Sequence, residues 1–159
     1  MINETFETHD ILNPLLWDNE TMALRPEVRD RLLEIMNYFV DSVDIKLDVI
    51  DALVVGSNAS YNYTAHSDID FHLIVNSEIL GIDNKDIVAF LYNNIKSDFN
   101  SAYDISIHGV PVEIYIEDVR TNVTSNGIYS VMFNRWIKRP IKLDSVPEVD
   151  VSKEFLEWA

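Results

Sequence analysis

The chain has 159 residues, 47% of them hydrophobic and 11% aromatic, which suits one globular domain with an ordinary core and excludes a disordered chain. It contains no cysteine, so disulfides, thiolate metal sites and cysteine nucleophiles are excluded. The net charge of −15, from 27 acidic and 12 basic residues, repels nucleic acid and anionic membrane over most of the surface, yet admits a polyanionic substrate accompanied by a divalent ion.

The start, Met1-Ile2-Asn3-Glu4, lacks the basic and apolar regions of a signal peptide, and no apolar stretch approaches the roughly 20 residues of a membrane helix. A cytoplasmic protein with no membrane partner is the expectation. Residues 1–25 read as an irregular arm whose Ile11, Leu12, Leu15, Leu16 and Trp17 pack it onto the domain. A helix follows from Pro26 to about Val43, with proline at its first position and Val28, Leu32, Ile35, Met36, Phe39, Val40 and Val43 at helical spacing. Val49 to Val55 is a β-rich apolar run that stops at Gly56 and reads as a buried strand. A polar loop covers Asn58 to Ser67 and opens with a helical turn; a second strand runs from Asp68 to Val75 and a second helix from Lys85 to about Ser97. Asp104–Ile107 and Val112–Glu117 form a hairpin around His108-Gly109, and Gly127 to Phe133 suits either strand or helix. A last short helix is expected from about Ser152 to Ala159, where its abrupt stop hints at a further C-terminal piece. The order helix, strand, strand, helix, hairpin indicates an α/β or α+β domain built on one mixed sheet with helices on one face. Residues 49–117 form its core and 127–159 a C-terminal extension.

Asp68-Ile69-Asp70-Phe71-His72 alternates, so Asp68, Asp70 and His72 share one face of the second strand while Ile69 and Phe71 take the other. Two carboxylates about 7 Å apart along a strand repel one another unless solvent or a cation compensates, and aspartate is a poor strand former. Hard oxygen ligands of this kind are what magnesium takes. Glu113 stands between the β-branched Val112 and Ile114, and joins the two aspartates if its strand lies beside theirs; Asp104 and Glu117 compete for that role. Upstream, Gly56-Ser57 ends a buried strand, where glycine admits a phosphate close to the backbone and the following amides can cradle it.

Gly56-Ser57, ten residues, Asp68-Ile69-Asp70 and then an apolar-flanked Glu113 resembles the signature of the polymerase-β-like nucleotidyltransferase superfamily, above all its minimal single-domain members. The resemblance spans about Val49 to Glu117. It implies that Asp68, Asp70 and Glu113 are the catalytic residues and hold two Mg²⁺ (or Mn²⁺) ions, with Glu113 also helping to deprotonate the acceptor hydroxyl. It implies that Gly56 and Ser57 bind the β- and γ-phosphates of a nucleoside triphosphate, whose nucleoside monophosphate passes to a hydroxyl with release of pyrophosphate. The acceptor is expected to be a protein or a small molecule rather than a long nucleic acid. One departure stands out: minimal members often carry arginine or lysine just after the Gly-Ser, and the loop from Ser57 to Ser67 has none. Arg135, Lys138, Arg139 and Lys142 put four of the 12 basic residues within eight positions; Lys138 and Arg139 are the expected nucleotide-binding cations. The missing loop cation also suits a catalytically weak nucleotide- or partner-binding domain acting as inhibitor or regulator. His72, His66, Tyr61, Tyr63 and Trp136 are expected to be structural.

Overall fold

The computed structural model describes residues 7–142. Two helices and a six-stranded mixed sheet dominate it, with a two-stranded ladder at the start of the chain. That ladder pairs β1 (Trp17–Asp18) with β2 (Ala23–Leu24), antiparallel. It corrects the expectation of an irregular arm: Asp18 Oδ1 accepts the Glu20 N–H at 2.9 Å, and Met22 at φ 57 turns the chain back. Strands of two residues are too short to leave a periodic trace in sequence. The arm does pack on the domain, burying Leu12, Leu16 and Trp17 completely or nearly so.

Helix α1 (Pro26–Ser42) begins with proline, whose fixed φ suits the first turn. It buries Val28, Leu32, Ile35 and Phe39 along one stripe. Arg29 on the same helix donates to the carbonyls of Val131 (2.7 Å) and Met132 (3.0 Å), fastening α1 to a turn 102 residues away. Helix α2 (Lys85–Ala102) is capped by Asn84, whose side chain accepts from the N–H groups of Asp86 and Ile87. It runs five residues past the expected Ser97, because Phe99 still contributes to the buried stripe. Phe39 and Phe99 meet edge to face, 4.7 Å between centroids, so both helices cover the same face of the sheet.

The large sheet runs β5-β6-β4-β3-β7-β8. Its members are β3 (Val49–Val55), β4 (Ile69–Val75), β5 (Ser106–Ile107), β6 (Val110–Asp118), β7 (Ile128–Ser130) and β8 (Arg135–Lys138). All neighbours are antiparallel except β4 and β6, which are parallel because α2 carries the chain across between them. The β5–β6 turn is His108-Gly109, both residues at positive φ as a two-residue hairpin requires. Gly127 to Phe133, ambiguous in sequence, resolves into strand β7 followed by a turn. The expected helix after Ser152, and with it the end of the 127–159 extension, lies outside the described residues.

Alternation divides the sheet cleanly. Ala52 and Val54 of β3, Ile69, Phe71 and Leu73 of β4, and Val112, Ile114 and Ile116 of β6 enter the core beneath the helices. Burial of each large apolar side chain contributes about 1.5–3 kcal/mol, so this face holds the register of all three strands. The opposite face carries Leu53, Val55, Asp70, His72, Glu113, Tyr115 and Glu117, and Val123 of the β6–β7 loop covers its apolar part with Ile74 and Ile128. No helix among the described residues is long and apolar enough to cross a membrane.

Candidate functional site

The polar face concentrates its charge where β3 ends and β4 and β6 begin. Parallel register sets Asp70 directly opposite Glu113, and Phe71 opposite Ile114, so both carboxylates leave the sheet on the side away from the core. Asp68 lies one residue before β4 and keeps the same parity as Asp70. The same register places Glu117 opposite Ile74, four residue pairs beyond, where it meets His72 instead (Oε1 to Nδ1, 3.1 Å). Asp104 is exposed ahead of β5. Of the three competing acids, Glu113 is the one that faces Asp70.

The electrostatics follow from this crowding. Burial is the main cause that pushes the Asp70 carboxyl above its ordinary range, with the charges of Glu113 and Asp68 adding to it and His72 opposing. Asp68 is raised first by burial, then by the charge of Glu113 and a hydrogen bond to it, which two carboxyls form only by sharing a proton. Tyr115, two residues beyond Glu113 on the same face, is pushed up to about 12 by burial, by the Glu113 and Asp70 charges, and by its hydrogen bond to Glu113. Its ring stacks on His72 at 4.6 Å and carries the Lys96 ammonium 4.6 Å above it. Glu117 Oε2 is buried with no hydrogen-bond partner among the described residues.

Gly56 closes the site from β3. Val55 pairs with Asp70, and Gly56 adopts φ 80, ψ −164, a conformation reserved in practice for glycine. A Cβ there would overlap Asp70 Oδ2, so the missing side chain is what lets the backbone lie against the carboxylate. The chain then makes a single 3₁₀ turn, Ser57–Ala59, in agreement with the helical opening expected of the loop. Ser57 Oγ bonds Ser67 Oγ at 2.7 Å, and the Gly56 N–H donates to Ser125 Oγ at 3.0 Å.

Sequence reading missed the residue that fastens this loop. Asn58 is fully buried; its amide donates to the carbonyls of Ser67 (3.0 Å) and Asp68 (2.9 Å), and its Oδ1 accepts from Asn13 at 3.0 Å. Trp17 Nε1 donates to the Asn58 carbonyl at 2.7 Å. Asn58 therefore ties the Gly-Ser turn to the residue that opens β4. Its only trace in sequence is adjacency to Gly56-Ser57. Tyr115 was legible from its parity with Glu113, and Ser125 was not.

The remaining candidates are dispersed. Lys138 Nζ donates to the carbonyl of Ser125 at 2.9 Å, the residue whose hydroxyl accepts from Gly56, whereas Arg139 is exposed with no ion pair among the described residues. Lys142 lies 5.3 Å from the Tyr61 ring centroid. Tyr63 stacks on His9 at 3.9 Å and donates to the Ile11 carbonyl, so both loop tyrosines are engaged by neighbouring segments; His66 is exposed. Trp136 stacks on Trp17 at 4.8 Å.

Asp68, Asp70 and Glu113 offer hard oxygens of the type magnesium takes, and a divalent ion would offset the burial and mutual charge that raise the Asp68 and Asp70 carboxyls. The donor set thus fits such an ion in chemistry. Among the described residues, however, no three His, Asp or Glu side chains are already gathered as a ligand cage. No protein-family model, curated protein or solved structure matches this chain.

Proposed function

We propose that the protein is a divalent-metal-dependent nucleotidyltransferase. The observation that carries the proposal is Gly56 lying against Asp70 directly across from Glu113: a strand-ending glycine turn and a carboxylate pair at the same end of one sheet. Asp68, Asp70 and Glu113 would hold the ion, Mg²⁺ or Mn²⁺, which supplies charge neutralisation to a triphosphate and to the oxygens entering and leaving the α-phosphorus. Gly56 and Ser57 receive the β- and γ-phosphates, the Gly56 N–H exchanging its Ser125 partner for a phosphate oxygen. The acceptor hydroxyl attacks the α-phosphorus, its proton passes to Glu113, and pyrophosphate leaves. Tyr115, kept protonated by its surroundings, holds Glu113 through a donated hydrogen bond. Lys138 supplies the cation that the Gly-Ser loop lacks, by exchanging the Ser125 carbonyl for a phosphate, and Arg139 follows it in the chain. An acceptor on a protein or a small molecule suits the net charge better than a long nucleic acid.

The test is pyrophosphate release from each nucleoside triphosphate with magnesium or manganese, with Asp70→Asn as the control. Release that requires the metal and disappears in the variant supports the proposal; none with any nucleotide and any of a broad set of hydroxyl acceptors ends it. One observation favours a second reading, a binding domain without turnover: Lys138 is already engaged by a carbonyl, and no cation lies between Ser57 and Ser67. Nucleotide binding by calorimetry without pyrophosphate release would select it.

A further inference from the structure

Strand β5 pairs with β6 only at Val110 and Pro111, so beyond Val112 the outer edge of β6 has no partner strand among the described residues. Two side chains of α2 reach that edge instead. Asn100 donates to the Ile114 carbonyl at 2.9 Å and accepts the Ile114 N–H at 3.1 Å, replacing the bonds that a strand would make. Lys96, one turn earlier on the helix, does something different. Helix α2 lies on the core face and Tyr115 on the opposite one, yet the Lys96 ammonium rests 4.6 Å from the Tyr115 ring centroid. Its stem therefore passes round the edge of β6 and delivers the charge to the open face. There it makes no hydrogen bond or ion pair among the described residues, although Glu113 bonds to the same tyrosine and 27 acidic residues stand in the chain. A half-buried lysine brought to the carboxylate face and paired with none of the acids there is not explained by stability.

The geometry of nucleotidyl transfer, on which this inference rests, gives that cation a task. Attacking and leaving oxygens stand roughly in line across the α-phosphorus. In the order β6-β4-β3, Gly56 lies on the β3 side of Asp70 and Glu113 on the β6 side. Pyrophosphate held at Gly56 leaves towards β3, so the acceptor hydroxyl enters over β6, where Glu113 takes its proton. The new bond joins the acceptor oxygen to the α-phosphorus; the bond to the bridging oxygen breaks, and its electron pair leaves with pyrophosphate. On that flank the rest of the acceptor meets Tyr115 and the Lys96 ammonium. Glu117, the next acid along this face of β6, is already taken up by His72. We propose that Lys96 selects the acceptor: the attacking hydroxyl belongs to a compound carrying its own phosphate or carboxylate group, which the Lys96 ammonium receives. An uncharged acceptor leaves that cation unused, and a cationic one meets it as a like charge. In a chain of net charge −15 an anionic acceptor needs a local cation to approach, and Arg135 and Lys138 stand on β8 at the opposite edge of the sheet.

The test is pyrophosphate release by the full chain with magnesium and each nucleoside triphosphate, comparing matched hydroxyl probes. Glycerol 3-phosphate is set against glycerol, and the peptide Gly-Glu-Ser-Glu-Gly against Gly-Lys-Ser-Lys-Gly. The first pair reads a small phosphorylated acceptor and the second an acidic protein segment. At least one anionic probe should exceed its counterpart tenfold or more in kcat/KM. Lys96→Met should collapse that ratio to within threefold, mainly through KM for the probe, and Lys96→Arg should restore it; matched circular dichroism melts check the fold. The inference is overturned if both ratios stay within twofold in the wild type. It is equally overturned if Lys96→Met keeps the ratio while lowering both rates, the mark of a merely structural lysine. Absence of release in every arm would defeat the nucleotidyl-transfer reading by itself. Equilibrium dialysis of radiolabelled glycerol 3-phosphate and of the acidic peptide then decides for Lys96: retention of either by the wild type, and tenfold less by Lys96→Met, keeps the anion seat, while equal retention ends it.

Discussion

Replacing Gly56 with alanine tests the closest contact in the candidate site. Two costs add. The backbone at φ 80, ψ −164 lies where residues with a side chain lose on the order of 1–3 kcal/mol. The new Cβ also overlaps Asp70 Oδ2 and comes within 3.2 Å of its Cγ, so the carboxylate has to rotate off its preferred rotamer, at roughly 0.5–1.5 kcal/mol. The total is about 3 kcal/mol, equivalent to a melting temperature roughly 6–12 °C lower for a chain of this size. Urea unfolding and thermal melts of Gly56→Ala, Asp70→Ala and the double variant separate the two parts. In the Asp70→Ala background the overlap disappears and the backbone cost stays, so the cycle should show a coupling of about 1 kcal/mol. A loss below about 0.5 kcal/mol for Gly56→Ala, or additivity within error, would show that Gly56 does not lie against Asp70, and the phosphate cradle would lose its basis.

Divalent ion at saturating concentration, about 100 times its dissociation constant, should stabilise the wild type by about 2.7 kcal/mol in thermal melts and leave Asp70→Asn unmoved; equal shifts for both would refute a site at Asp70. Without metal, Asp68 and Asp70 have folded pKa values raised above their ordinary 3.8, so the folded state holds their protons more tightly; stability is greatest below that value and declines as pH rises through the raised values. Asp70→Asn should flatten that decline in urea titrations across acidic pH, and an unchanged slope would contradict the burial cause. Asn58→Ala strands the carbonyls of Ser67 and Asp68 and should cost about 2–3 kcal/mol by urea unfolding, with a loss under about 1 kcal/mol counting against its clamping role. Lys138→Ala should reduce kcat/KM for nucleotide by an amount equivalent to about 2–4 kcal/mol with the melt unchanged, while unaltered kinetics would leave the triphosphate to the metal alone.

Where sequence spoke clearly, the signal was periodic burial. Val49–Val55 is recovered to the residue because a run dominated by valine, isoleucine and leucine ends at Gly56, whose positive φ leaves the strand, and Pro26 marks the α1 start for an equally local reason. The His108-Gly109 hairpin is legible because its two turn residues supply the positive φ values. The alternation in Asp68-Ile69-Asp70-Phe71 told which side chains share a face. It did not tell which strand lies beside β4, and so could not choose among Asp104, Glu113 and Glu117; the choice depends on long-range register, which only tertiary pairing fixes. Asn58 and Ser125 were illegible for a related reason. Each is a polar loop residue whose partners lie nine or more positions away, and a buried asparagine looks in sequence like any solvated one.

The parallel pairing of β4 with β6 is the feature on which the site depends most. Because α2 crosses between them, both strands start at the same end of the sheet, and acids near the start of each are brought together. β3 runs the other way, so its last residue, followed by Gly56, arrives at that same end. Three segments separated by up to about 60 positions thus converge at one end of the sheet. That geometry fixes the carboxylates on rigid strands, and the buried row beneath them, Phe71 with Ile114, resists any slip that would part them. The burial and mutual repulsion that raise the Asp68 and Asp70 carboxyls are therefore held in place by the core on the far side of the same strands. A sheet needing only stability would place apolar or oppositely charged pairs at this register, and the same face does gather apolar Leu53, Val55, Ile74 and Ile128 into a cluster nearby. Carboxylates kept together against their own repulsion, beside a glycine that makes room next to one of them, mark this end of the sheet as the place where a cationic ligand has most to gain.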